Sequence, residues 1–192
     1  MITSSKSALL WDALCAAYAG VGFDKAAADD EVFRQLVLAR IIEPTSKADS
    51  LRVIDETGVA PVSYPTLNRR LPVFAKSGFR QALSAACAAH AKLGPASLVL
   101  YDVTTLYFEA EDEDALRKVG MSKERRVDPQ ILVGMLVTAG GFPLEVHEFT
   151  GNTAETLTLL PVLRTFQDRH QVDDVVVVAD AGMLSASNLN AL

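Results

Sequence analysis

SLVLYDVTTLYF, residues 97–108, is built from Leu, Val, Tyr and Phe, the composition of a strand, and carries Asp102 in its middle. If that strand is buried, its charge needs explaining. An ionised carboxylate taken out of water costs several kcal/mol unless a cation or donor offsets it. Asp102 is therefore expected to have a partner or to mark a site.

Upstream of this stretch the apolar residues recur at helical spacing. ALLWDALCAAY (8–18), DEVFRQLVLARII (30–42, ended by Glu43-Pro44) and TSKADSLRVIDETG (45–58, stopped at Thr57-Gly58) read as short packed helices. SYPTLNRRL (63–71) begins with Ser63 as an N-cap, and Pro72 and Gly78 are expected to separate it from the Ala-rich helix FRQALSAACAAHAKLG (79–94).

Downstream, after Gly94-Pro95, the pattern is that of strands. QILVGMLVTA (130–139) and FPLEVHEFTG (142–151) flank Gly140-Gly141 as a hairpin. A helix follows over 153–170, with Asn152 and Glu155 in capping-box spacing and Pro161 expected to kink or split it. The four valines of DDVVVVADAG (173–182) predict a strand buried on both faces, and Ser185 is placed to cap a last helix. The fold class is thus α/β, a mixed sheet over 95–192 preceded by a small all-α region over 1–94.

The composition is that of an ordinary folded domain: 192 residues, 49% hydrophobic and 22% charged. Asp12 interrupts the apolar run after Lys6, which therefore reads as an amphipathic helix rather than a secretion signal. No stretch approaches the roughly 18 apolar residues of a membrane span, so a cytoplasmic location without a membrane partner is expected. Cys15 and Cys87 lie far apart in Ala-rich stretches, and His90, His147 and His170 are scattered singly, so no zinc spacing is visible. The net charge of −6 is unevenly spread. Residues 1–93 carry 11 Lys/Arg against 9 Asp/Glu, whereas 94–192 carry 7 against 15. An acidic metal-binding site is one explanation for the second half, and a solvated surface is the other.

Asp180 repeats the setting of Asp102, since each follows a hydrophobic run, VVVVA and LVLY respectively. Strands joined through a helix tend to be parallel, and open α/β sheets bind ligands at the carboxyl ends of such strands. If the two strands are neighbours, the carboxylates meet and repel unless a cation lies between them. Mg²⁺ or a similar hard cation, which prefers carboxylates and water, fits that pair.

Beyond these single features, YDVTTLYFE (101–109), GMSKERRVDPQILVGMLVTAGGFPLEVHEFTGNTAET (120–156) and VVVVADAGMLSASNLNAL (175–192) together resemble DDE transposases of bacterial insertion sequences, in the insertion-sequence-four superfamily and its 1634-like branch. ARIIEPTSKADSLRVIDETG (39–58) and TLNRRL (66–71) resemble the region upstream of that family's catalytic core. The resemblance implies a ribonuclease-H-like core, incomplete at its C-terminus, with Asp102 and Asp180 as the first two catalytic and metal-binding acids. It also implies Mg²⁺ or Mn²⁺ as cofactor and double-stranded DNA at transposon ends as substrate. The family's third acid, a glutamate on a later helix, falls beyond Leu192. The chain is accordingly expected to be an internal or truncated fragment, inactive alone.

Lys123, Arg125 and Arg126, with Lys118 nearby, are candidates for holding the phosphate backbone, although surface solubility explains them equally well. Arg69 and Arg70 read as a solvated helix turn, and 45–71 admits a helix-turn-helix reading. Two other function classes stay open. One is a non-catalytic remnant that binds DNA or pairs with intact transposase subunits in an oligomer. The other is a haloacid-dehalogenase-like phosphatase, in which Asp102 would be the nucleophile and Thr104 would occupy the general-acid position.

Overall fold

The computed structural model describes residues 6–94, 97–110, 112–121, 126–172, 174–185, 188 and 190. The chain divides into two compact units, Met1–His90 and Ala91–Leu192.

The first unit is helical: α1 (Ala8–Gly20), α2 (Phe23–Ala26), α3 (Glu31–Ile42), α4 (Ser50–Glu56), α5 (Tyr64–Phe74) and α6 (Ser77–Ala91). Trp11, Tyr18, Leu38, Ala39, Val53 and Ile54 form one buried cluster. Val32, Leu36 and Leu67 form a second. Ser63 caps α5 as predicted, its Oγ accepting from the Thr66 N–H at 3.3 Å. The helix then runs through Pro72 to Phe74, where a break was expected. Pro72 falls in the last turn, so the helix loses only one backbone bond there and the ring is accommodated.

Asp30 caps α3, accepting from the Phe33 N–H at 2.9 Å. Its other oxygen pairs with Arg70, whose guanidinium also lies 5.8 Å from the centre of the Phe74 ring. Arg70 thus ties α5 to α3. Arg52 on α4 gathers Glu43, Asp49 and Glu56. Its hydrogen bond to Asp49, helped by Thr45, lowers that carboxyl from an ordinary 3.8 to about 2. A depressed carboxylate contributes stability that is complete above its unfolded value. The Asp49 contribution should therefore be full above about pH 4 and lost as pH falls through about 2. A side-chain carboxyl titration followed by NMR should place the midpoint of Asp49 well below that of an unpaired aspartate.

The second unit contains β1 (Ser97–Tyr107), β2 (Gln130–Thr138), β3 (Pro143–Thr150), a 3₁₀ turn (Glu155–Leu157), α7 (Leu159–His170) and β4 (Val175–Ala179). Among the described residues the sheet has the order β3-β2-β1-β4, with β1 antiparallel to β2 and parallel to β4. It is a mixed α/β sheet. The β2–β3 hairpin turns at Gly140-Gly141, where Gly141 takes φ +82° and its N–H donates to the Thr138 carbonyl at 2.9 Å.

The helix expected from residue 153 does divide, but ahead of Pro161 and not at it. A 3₁₀ turn precedes α7, and neither Asn152 nor Glu155 forms a side-chain cap. Because α7 starts at Leu159, Pro161 lies in its first turn, where a missing N–H costs nothing. α7 packs on one face of the sheet through Leu159, Val162, Leu163 and Phe166, against Val99, Tyr101, Leu136 and Leu144.

The valine run is not buried on both faces. Val176 and Val178 are 52% and 46% exposed, because β4 is an edge strand among the described residues and no other described element of the second unit covers the sheet face opposite α7. Leu98, Leu106, Met135 and Val146 are exposed as well. Asp102 is likewise exposed, which removes the desolvation cost that its strand setting predicted. No described helix is long and apolar enough to cross a membrane.

Candidate metal centre

The ladder between β1 and β4 decides where the two acids lie. It pairs Ser97 with Val175, Leu98 with Val176, and so on to Tyr101 with Ala179. Asp102 and Asp180 are the next residue on each chain. β1 runs on through Asp102, whereas β4 ends at Ala179, so Asp180 is the first residue after the paired stretch, whose strands lie about 4.8 Å apart. Both acids are exposed.

Each acid is held from behind. Tyr101, the residue before Asp102, is fully buried in the core beneath α7. A Cβ on Gly134 would run into the Tyr101 hydroxyl, so the bare glycine on β2 makes room for that ring. Burial pushes the Tyr101 phenol above its ordinary pKa, and the Asp102 charge adds to the shift. Behind Asp180 the chain turns tightly, with the N–H groups of Met183 and Leu184 donating to the Asp180 carbonyl at 2.8 and 3.3 Å. Met183 inserts into the core.

Two carboxylates and solvent can hold a hard divalent cation, since Mg²⁺ keeps several waters and often takes only one or two protein carboxylates. The oxygen-only donor set of Asp102 and Asp180 fits Mg²⁺ or Mn²⁺ and does not suit zinc. Among the described residues no group of three or more His, Cys, Asp or Glu side chains converges. On β2 the residue opposite Asp102 is Met135, and opposite Met135 on β3 is Val146, so the neighbouring strands add no ligand in that row.

The basic residues are placed differently. Lys123 and Arg125 lie outside the described residues. Arg126 donates to Asp128 at 2.9 Å and stacks 4.7 Å from the centre of the Tyr107 ring. Tyr107 lies five residues beyond Asp102, about 16 Å along the strand, and by alternation on the opposite face. Arg126 is thus not beside the acid pair. Lys118 pairs with Glu113 at 3.3 Å, and Arg69 donates to Thr66 at 3.2 Å.

Sequence reasoning missed three buried polar residues. Gln130 donates to the Gly151 carbonyl at 2.8 Å. Glu145 pairs with Arg169 and lies 3.5 Å from His147. A register shift near Leu136 and Val137 accounts for its burial, placing both Leu144 and Glu145 inward. Asn188 is the third, and its only sequence signal is the spacing Ser185-x-x-Asn188, that of a cap and its third helical residue. Compared with known proteins, the chain matches no family model and no curated protein.

Proposed function

We propose that this chain carries the catalytic core of a DDE-type transposase with a ribonuclease-H-like fold, which cleaves and transfers DNA strands at insertion-sequence ends with Mg²⁺ or Mn²⁺ in the cytoplasm. The observation that supports this reading best is the parallel register, which pairs Tyr101 with Ala179, the residues immediately before Asp102 and Asp180. A divalent ion held there supplies electrostatic stabilisation of charge developing on a phosphodiester and lowers the pKa of an attacking hydroxyl.

The chain's own part is to fix the spacing of the two carboxylates from a shared sheet, so that little reorganisation accompanies binding. Their mutual repulsion in the free protein is relieved by the cation. With no third carboxylate beside them among the described residues, the chain alone holds metal largely through water and does not complete transposition. DNA approaches the open face of the sheet, on which Asp102 lies.

Asp102→Asn and Asp180→Asn test the site. Each should weaken Mn²⁺ binding, followed by electron paramagnetic resonance, by about a hundredfold, the upper end of what outer-sphere changes cost. Each should leave the metal-free protein as stable as before or more so, because a repulsion has been removed. Unchanged Mn²⁺ affinity in both variants would refute the metal site. Efficient Asp102-dependent nicking of terminal-repeat DNA by the 192-residue chain would refute its inactivity alone.

A second reading, a non-catalytic partner of transposase subunits, is favoured by the exposed apolar residues Leu98, Leu106, Met135, Val146, Val176 and Val178 on the open face. Salt-dependent DNA binding without metal-dependent cleavage would select it. Turnover of a small phosphate ester would instead select the phosphatase.

A further inference from the structure

Asn188 is only 4% exposed, and it uses both hydrogens of its side-chain amide. Nδ2 donates to the Thr156 carbonyl at 2.8 Å and to the Met183 carbonyl at 2.7 Å, while its backbone N–H donates to Ser185 Oγ at 3.2 Å. An amide so buried would be costly without partners, and here both donor hydrogens are matched. The bonds join two segments far apart in sequence, the 3₁₀ turn before α7 and the turn after β4.

The geometry points to Asn188 as a positioning residue for Asp180 in the metal centre, an inference that rests on the reading of Asp102 and Asp180 as metal ligands. The link is short. Asn188 holds the carbonyl of Met183, and the N–H of Met183 holds the carbonyl of Asp180 at 2.8 Å. The same 3₁₀ segment also reaches the other acid's strand. Thr158, whose hydroxyl donates to the Glu155 carbonyl at 2.7 Å, lies beside the buried Tyr101 hydroxyl, although the two do not meet in hydrogen-bond geometry. Residues 155–158 therefore form a common footing for Tyr101-Asp102 and for the Asp180 turn. Without the amide, the Asp180 turn keeps Met183 in the core but loses its tie to that footing, so the two carboxylates no longer share one fixed spacing.

The test compares Mn²⁺ affinity, measured by electron paramagnetic resonance on the full 192-residue chain, in four variants. Asn188→Asp preserves size and removes both donors. Asn188→Ser is milder and keeps one. Leu163→Ala weakens the core under α7 while removing none of the hydrogen bonds of the Asp180 turn, and Asp102→Asn reports whether the site exists. The expected result is a loss of about tenfold for Asn188→Asp, a smaller loss for Asn188→Ser, and affinity within about twofold of the parent for Leu163→Ala.

Parental affinity in a folded Asn188→Asp or Asn188→Ser protein, with binding lost in Asp102→Asn, would overturn the role of Asn188 and leave the metal site standing. Equal losses in the Asn188 variants and in Leu163→Ala would also overturn it, since general loosening would then account for the effect. Mn²⁺ binding indifferent to Asp102→Asn would overturn the metal site and, with it, the inference.

Discussion

Replacing Phe166 with alanine should destabilise the second unit by about 3–5 kcal/mol. Phe166 is fully buried, and its neighbours in the cluster include Val99, Tyr101, Leu136, Leu144 and Leu163. Among the described residues α7 is the element that supplies this layer of the core, so its neighbours can collapse only in part into the space left by the ring. Removing the ring forfeits both its transfer free energy and the contacts of a cavity that relaxes only in part. Urea unfolding followed by a probe in the second unit should show a lower midpoint with an unchanged slope. Val176→Ala, on the open face, supplies the contrast and should cost under about 1 kcal/mol, because its side chain is half in water already. Similar losses for the two variants would contradict the difference in burial between Phe166 and Val176.

Gly151→Ala is the second large effect, and its cause lies in the backbone. A Cβ at 151 would overlap the carbonyl oxygens of Gln130 and Lys118. Those oxygens cannot retreat freely. Lys118 and Gln130 exchange two backbone hydrogen bonds, at 3.0 and 2.9 Å, and the Gly151 N–H itself donates to the Leu116 carbonyl at 3.1 Å. A loss of about 3 kcal/mol or more is expected, measured as a fall in the unfolding midpoint. Gly78→Ala, on α6, should have the opposite sign. It lies in the first turn with no left-handed φ, nothing lies within 4 Å of its added Cβ, and alanine at such an unstrained position stabilises by about 0.4–1 kcal/mol through the lower entropy of the unfolded chain. Equal effects at the two positions would show that close backbone approach does not explain Gly151.

Much of this architecture is legible in the sequence because it is written in local patterns. The change of period at Gly94-Pro95, the hairpin at Gly140-Gly141 and the Ser63 cap all follow from neighbours a few residues apart. The parallel sense of β4 agrees with a general rule, that strands joined through a helix tend to be parallel, whereas its pairing with β1 was left open by the sequence. The last pair of that ladder, Tyr101 with Ala179, is the one immediately before Asp102 and Asp180.

What escaped depends on tertiary context. A run of valines signals a strand but not the number of layers packed on it, so Val176 and Val178 gave no warning of their exposure. Pro72 and Pro161 signal a boundary, yet each lies within one turn of a helix end, where proline is tolerated. Glu145 is turned inward by an irregularity between two strands, and Asn188 is satisfied by the carbonyl of Thr156, thirty-two positions away. Neither leaves a trace in hydrophobic periodicity. Gly151 reads as punctuation, while its real constraint is the crossing of two other backbone segments.

The pairing of β1 with β4 also sets an order of events during folding. β2 and β3 meet across a turn of a few residues, whereas joining Ser97 to Val175 encloses the hairpin and α7 in one loop. Closing a longer loop costs more chain entropy before any contact rewards it, and non-local pairing is correspondingly slow. The hairpin is thus the natural nucleus, and β4 docks onto a sheet already begun. Tyr101 and Ala179, the residues just before Asp102 and Asp180, pair only in that late step.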